Sequence, residues 1–312
     1  MRHRRMGRSG LSVSRLGLGT MGWGARTSID DARDQLKAYL AAGGDFVDTA
    51  HGYANGASEE ALGAMLGDLV PRDRLVICTN AGISRRSGER VVDTSRRTLM
   101  AQLETSLQRL GTPYVDLWLV HAWSDETPVE ETLSALEWAV TSGRARYVGV
   151  SNYSGWQAAH ASTLLAGQRV PMVANEVEYS LLNRIPEDEL VSAGDALGFG
   201  LLPWSPLGRG VLTGKYRNGI PDAPRAAPGE RIGLAGLNLT EESAQIVDAV
   251  AIAARGMNVS PAEIALAWVR DRPGVVAPIV GIRTAAQMQA ALASEDLELP
   301  AELVQALNDV SD

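Results

Sequence analysis

Short apolar runs alternate with amphipathic stretches along almost the whole chain. The runs are RLGLG (15–19), FVDTA (46–50), LVICT (75–79), VDLWLVH (115–121), RYVGVSN (146–152), MVANEVEY (172–179), GLLPWSP (200–206) and VAPIVG (276–281). Their length suits strands buried on both faces rather than alternating surface strands. The stretches between them carry helical signals. Residues 94–110 place Leu99, Leu103, Leu107 and Leu110 on one stripe, with Gly111 as a stop. Residues 128–142 open on Pro128 and close at Gly143, as helices tend to do. Residues 29–42, 154–165, 186–197, 241–255 and 261–271 continue the pattern.

Strands that alternate regularly with helices predict an α/β fold, a parallel (β/α)8 TIM barrel over residues 1–312 as one domain. A doubly wound sheet is the alternative, but it would be unusually wide and lacks a GxGxxG after the first strand. Before that strand, Gly7 and Gly10 lie between two short alternating runs. An N-terminal β-hairpin capping the barrel bottom is expected there. A weakly periodic segment from Gly208 to Asn238, rich in Gly, Pro and Arg, follows the seventh run. Loops of that length usually serve function.

Composition narrows the class. The 312 residues are 45% hydrophobic with a net charge of −8, and no basic stripe suggests a nucleic-acid partner. Arg2, Arg4, Arg5 and Arg8 make a basic start that no apolar stretch follows, so it does not read as a signal peptide. No run of ~18 apolar residues implies a membrane span. The single Cys78 leaves no internal disulfide. His3, His51, His121 and His160 show no metal-ligand spacing. A soluble, cytoplasmic protein without a structural metal is expected.

Chemistry in such barrels gathers at the carboxyl ends of the strands. Those ends read Thr20, Asp48, Asn80, His121, Ser151–Asn152, Glu176, Trp204–Ser205 and Gly281–Arg283. A polar residue at one strand end is ordinary turn chemistry. Polar residues at eight ends aimed at one mouth point to a site. Asn80 is read as sitting just past the end of its strand.

At this point the chain resembles a family. LGLGTMGWG (16–24), DFVDTAHGYANGASEEALG (45–63), SLQRLGTPYVDLWLVH (106–121), RYVGVSNYS (146–154), EVEYSLLNR (176–184), PWSPLGRGVLTGKY (203–216) and PIVGIRTAAQ (278–287) match segments of aldo-keto reductases in order. The flavour is that of bacterial general reductases and potassium-channel β subunits, with Trp204 before the SPL segment. The resemblance implies hydride transfer from NADPH to a carbonyl. It implies Asp48, Tyr53 and His121 as catalytic residues, with Tyr53 the general acid and His121 orienting the substrate. The family's catalytic Lys is replaced by Asn80. Without that cation, the phenol loses the influence that lowers its pKa from ~10. Glu176 stands where the family has a Gln on the nicotinamide carboxamide. The two changes together shift the mouth by about two negative charges.

For the cofactor, the resemblance implies Gly19, Thr20, Met21 and Asp48 at the floor. Ser151, Asn152 and Glu176 hold the carboxamide, and Trp204 stacks on the ring. Ser205, Pro206, Leu207, Gly208 and Gly210 carry the pyrophosphate, with Lys215 and Arg225 as cations. Gly281, Arg283 and Gln287 take the 2′-phosphate and adenine, while Ala290 and Ala291 replace an adenine-contacting pair. Trp23, Tyr53, His121, Trp123 and Trp204 are expected to wall the substrate pocket. An anionic aromatic pocket suits a cation, so an imine or an amine-bearing carbonyl is a candidate substrate. His51 reads as a substrate contact or an exposed loop residue. A regulatory or scaffold protein that binds NADP(H), and a disabled reductase, are the alternatives. A homo-oligomer is left open.

Overall fold

The computed structural model describes residues 1–86, 89–217 and 239–312. Eight parallel strands close into a barrel: β3 (Gly17–Gly19), β4 (Phe46–Ala50), β5 (Val76–Ala81), β8 (Val115–Val120), β9 (Ala145–Ser151), β10 (Met172–Glu178), β11 (Gly200–Trp204) and β12 (Ile279–Gly281), which returns to β3. Each expected run holds one of these strands. The first and last are shorter than expected.

An antiparallel hairpin, β1 (His3–Arg5) with β2 (Ser12–Ser14), lies at the amino-terminal end of the barrel. Arg8 N donates to Gly198 O at 2.8 Å, ahead of β11, and Ser14 N donates to an Asp45 carboxylate at 2.8 Å, ahead of β4. Met6 and Val13 of this hairpin join Phe46, Cys78, Leu117, Val173 and Ala277 in the core that fills the barrel. The hairpin therefore plugs the bottom and leaves the opposite mouth for chemistry.

The helices surround the barrel. They are α1 (Ile29–Ala41), α2 (Ala57–Gly63), α3 (Arg96–Leu110), α4 (Val129–Thr141), α5 (Gly155–Gly167), α6 (Leu190–Leu197), α7 (Glu241–Met257), α8 (Pro261–Arg270), α9 (Ala285–Ala293) and α10 (Ala301–Val310). Their starts are chemical. Ser95 accepts from Thr98 N, so α3 begins after it, and Gly111 closes the helix at φ 62°. Ser260 and Glu263 form a reciprocal cap, with Pro261 at the first helical position. Residues 186–189 are not part of α6; a 3-10 turn over Ile185–Glu187 comes first. Among the described residues, no helix is long and apolar enough to cross a membrane.

One addition was not expected. Directly after β5, the chain makes a second hairpin of β6 (Ile83–Arg86) and β7 (Glu89–Val92).

Candidate active site

The floor of the mouth is built from three neighbouring polar residues on three strands. Asp48 on β4, Asn80 on β5 and Glu176 on β10 are 2%, 0% and 3% exposed. Asn80 lies within its strand, not past its end. It pairs with Leu119 of β8, and its carbonyl accepts from His51 N at 2.9 Å, so the ladder continues beyond the expected turn. Asn80 Nδ2 donates to Asp48 Oδ1 at 3.2 Å, to Thr49 O at 3.2 Å and to Glu176 Oε2 at 3.1 Å. An amide has two N–H protons for these three acceptors. Its Oδ1 is buried without a hydrogen-bond partner.

Two buried carboxyls thus share one neutral donor. Burial first, then the charge of Glu176, pushes Asp48 well above the usual carboxylate range. Burial pushes Glu176 up to about 7, opposed by the Asn80 hydrogen bond. The two titrate as a coupled pair, both pushed toward the protonated form by burial. Burial thus opposes ionising both acids at once, against the expectation of about two added charges. The Cys78 thiol beneath them is pushed up by burial, Asp48 and Glu176, and stays neutral.

The pair has a consequence for stability. Glu176 moves from 4.5 to about 7 on folding, so between these values the folded chain binds the extra proton. Stability from this group is present below about 4.5 and is lost as pH rises through about 7. Glu176→Gln is expected to flatten that slope and to be more stable than the parent in mildly alkaline solution. Urea midpoints at acidic and alkaline pH check this, and parallel curves for the two proteins would refute it.

Tyr53 opens a 3-10 turn over Tyr53–Gly56 in which Ala54, Asn55 and Gly56 have φ of 49°, 54° and 102°. Such a turn needs holding. Arg109 of α3 holds it: its Nη1 contacts His51 O at 3.0 Å, His51 Nδ1 at 3.3 Å and Glu59 Oε2 at 3.1 Å. Glu59 is fully buried and also accepts from Thr79 Oγ1 at 2.7 Å. A Cβ on Gly56 would lie 2.3 Å from the Arg109 guanidinium carbon, so only glycine fits. Burial and Arg109 push His51 down to about 4, which keeps it neutral. His51 is thus part of this clamp.

Above the floor, the rings of Tyr53 and His121 meet edge to face at 5.9 Å. Burial, Asp48 and Glu176 all push the Tyr53 phenol well above its ordinary value. Burial, then Arg90 of the unexpected hairpin, pushes His121 down to about 4. His121 Nδ1 is buried without a partner. The mouth therefore presents a protonated phenol beside a neutral imidazole.

The rim is polar and aromatic. Ser151 Oγ donates to Glu176 O at 3.0 Å. Asn152, at φ 61°, donates to His121 O at 2.9 Å and accepts from Trp204 Nε1 at 3.0 Å. Arg209 lies over the Trp204 ring at 5.4 Å and also binds Glu178. Ser205, Gly208, Arg209 and Gly210 all have positive φ, which coils the loop tightly beside the mouth. Trp123 donates to Asp125 at 2.7 Å and meets Tyr153 and Trp156 at 5.2 Å each. Trp156, 60% exposed, extends this aromatic wall and was not anticipated.

Several expected contacts are placed elsewhere. Trp23 is fully buried, with Nε1 donating to Gln35 at 2.9 Å, so it is a core residue against α1 rather than a pocket wall. The Thr20 hydroxyl is buried between Asp48 O and Ser58 Oγ and serves the fold. Gln287 is turned back onto Arg283 N at 2.8 Å. Met21 is 60% exposed. Lys215 rests over the Tyr216 ring at 4.8 Å. Arg225 lies outside the described residues. Gly281 borders open space, with nothing within 4 Å of where a Cβ would be, beside the Thr284-capped start of α9.

The family model for the aldo/keto reductase family matches residues 15–312. The chain belongs to this family. It is 34% identical to the L-glyceraldehyde 3-phosphate reductase of Escherichia coli (strain K12), over 100% of this chain and 89% of that protein. It is 35% identical to a probable voltage-gated potassium channel subunit beta of Oryza sativa subsp. japonica, over 90% of this chain and 87% of the relative. The uncharacterized oxidoreductase YrpG of Bacillus subtilis (strain 168) is 31% identical, with 99% and 96% covered.

As an aldo/keto reductase, the chain is an oxidoreductase of carbonyl substrates that uses a nicotinamide nucleotide. The residues at its mouth fit such a group. A partly exposed Trp204, fixed by Asn152, offers a stacking face beside Ser151 and Glu176. The open ground at Gly281 leaves room for close backbone approach. Arg109, Glu59, Thr79 and Arg90 escaped the sequence reading. A buried charge pair 50 residues apart has no local signature.

Proposed function

We propose that this aldo/keto reductase is an NADPH-dependent reductase whose mouth favours an iminium ion or an amine-bearing carbonyl over a neutral aldehyde. The observation that carries the reading is the Asn80 amide bridging two buried carboxyls beneath Tyr53 and His121. The family resemblance places a Lys at Asn80 and a Gln at Glu176. Here the floor has no ammonium and one more acid.

Bound NADPH would supply the hydride. Trp204 would stack on its nicotinamide, and Ser151, Asn152 and Glu176 would hold the carboxamide. Ser205, Pro206, Leu207, Gly208 and Gly210 would carry the pyrophosphate with Lys215 and Arg225. Gly281, Arg283 and Gln287 would receive the 2′-phosphate and adenine, the planar Arg283 fork suiting a phosphate. Gly19 and Met21 would border the same group.

Tyr53 is the general acid and His121 orients the carbonyl oxygen through a ring nitrogen. The high proton affinity of Tyr53 disfavours tyrosinate, so alcohol oxidation is the weaker direction. A carbonyl needs a proton as it accepts hydride, whereas an iminium does not. A negative floor under Tyr53, Trp123 and Trp204 attracts an iminium electrostatically.

Trp fluorescence on titration with NADPH tests binding, and absorbance of the reduced cofactor then follows a matched aldehyde and cyclic imine. The expected result is tight binding with a higher kcat/KM for the imine. Equal turnover of the two would remove the cationic preference. Binding with no turnover of either would support a second reading, a regulatory or scaffold protein that binds NADP(H). That reading is favoured by the raised Tyr53 phenol and the 35% identity to a probable potassium channel β subunit.

A further inference from the structure

The Asn80 bridge does more than alter charge. Asp48 and Glu176 come from different strands, and each lies within 3.2 Å of the same amide nitrogen. Beside the Tyr53 ring, His121 after β8 is pushed down to about 4 by burial and by Arg90 of β7, and so stays neutral. Opposite Glu176 in register, β9 presents Ser151 and β11 presents Leu202, both uncharged. From β4 and its following turn come Asp48 and Tyr53; from β5 come Asn80 and Cys78. Tyr53 and Cys78 are both held neutral by burial and by the two acids. The charge state of this floor is therefore decided by one shared proton.

We propose that the Asn80-bridged pair of Asp48 and Glu176 is a redox-linked proton store, holding one proton beside the reduced cofactor and releasing it when the oxidised cofactor is bound. The proposal rests on the NADPH reading above. Glu176, at the carboxamide position, meets a neutral ring before hydride transfer and a cationic ring afterwards. A cation beside a carboxyl favours its ionised form. The pair consequently becomes a stronger acid at the stage when a carbonyl substrate needs a proton.

The balance is simple. The carbonyl carbon accepts the hydride with its two electrons, and the C=O π pair moves to oxygen. The oxygen takes its proton from Tyr53, and the pair restores the proton to Tyr53. The alcohol leaves, and Asp48 and Glu176 are both ionised beside the oxidised ring until solvent returns the proton. An iminium brings its own positive charge and needs no proton to accept the hydride, so the proton that the pair releases beside the oxidised ring goes to solvent. One floor thus serves both substrate classes.

The test is a binding measurement on the full chain without substrate. Dissociation constants for NADPH and NADP⁺ are measured by Trp fluorescence across neutral pH. Both forms carry the same 2′-phosphate, so its own titration cancels in their ratio. As pH rises between the pair's apparent pKa with NADP⁺ and its higher one with NADPH, NADP⁺ is expected to gain on NADPH by up to about tenfold per pH unit, the slope for one linked proton. Glu176→Gln is expected to give a flat ratio.

Infrared spectra of the parent protein provide a second readout that does not depend on that variant folding. The carbonyl band of a protonated carboxyl should be present with NADPH and lost with NADP⁺. A flat ratio in the parent, an unchanged slope in Glu176→Gln, or a band indifferent to the cofactor form would overturn the store while leaving NADPH binding intact. Failure to bind either form would overturn the NADPH reading itself, and the store with it.

Discussion

Tyr53→Phe is expected to slow reduction of a neutral aldehyde by roughly 10²–10⁴-fold, the usual worth of general acid catalysis. Reduction of a preformed cyclic iminium should be largely unchanged. The difference follows from the chemistry: the aldehyde oxygen must gain a proton as it accepts hydride, and the iminium nitrogen must not. Phe keeps the ring that packs edge to face on His121 at 5.9 Å, so the substitution removes the proton and little else. His121, pushed down to about 4, is neutral and is a poor replacement acid at pH 7. The measurement is kcat/KM for both substrates with parent and variant. An equal loss for the iminium would mean that Tyr53 acts by shaping the pocket rather than as the acid.

Arg109→Ala is expected to destabilise the fold by roughly 3–5 kcal/mol, the cost of leaving a buried charge unpaired. Glu59 is fully buried, and its Arg109 partner is 3.1 Å away. The same change frees His51 O and the strained turn at Ala54–Gly56. Aldehyde turnover should therefore fall in protein that is still folded, because Tyr53 is no longer held over the floor. Urea unfolding gives the first quantity and kcat at low denaturant gives the second. Adding Glu59→Gln should recover much of the stability, since no charge is then stranded, but not the activity. Recovery of both would remove the positioning role of Arg109.

Much of the fold was legible because parallel barrel strands are covered on both faces. Such strands must be apolar throughout, and each of the eight runs contains one. Gly7 and Gly10 likewise signalled the plugging hairpin. The β6–β7 hairpin was missed because ISRR and ERVV carry charge where a strand pattern would carry apolar residues. Helix α2 is too short, at seven residues, for a periodic pattern to stand out. Helix α10 also went unassigned, although it is ordinary in length.

The candidate site divides in the same way. His121 and Trp204 could be found from the sequence because each ends a readable strand or follows it directly, whereas Asp48 lies within β4 rather than at its end. By itself the sequence determined the barrel, the mouth and the types of polar residue brought to it. Only the tertiary structure put Asn80 inside β5, between acids from strands 32 residues before and 96 residues after it. Only the tertiary structure turned Trp23 into the core and gave Arg109 the task of holding the Tyr53 turn. The physical reason is that strand and helix patterns report local burial, which neighbours along the chain share. The proton affinity of a carboxyl depends instead on the charges and donors that distant strands bring within a few ångströms of it.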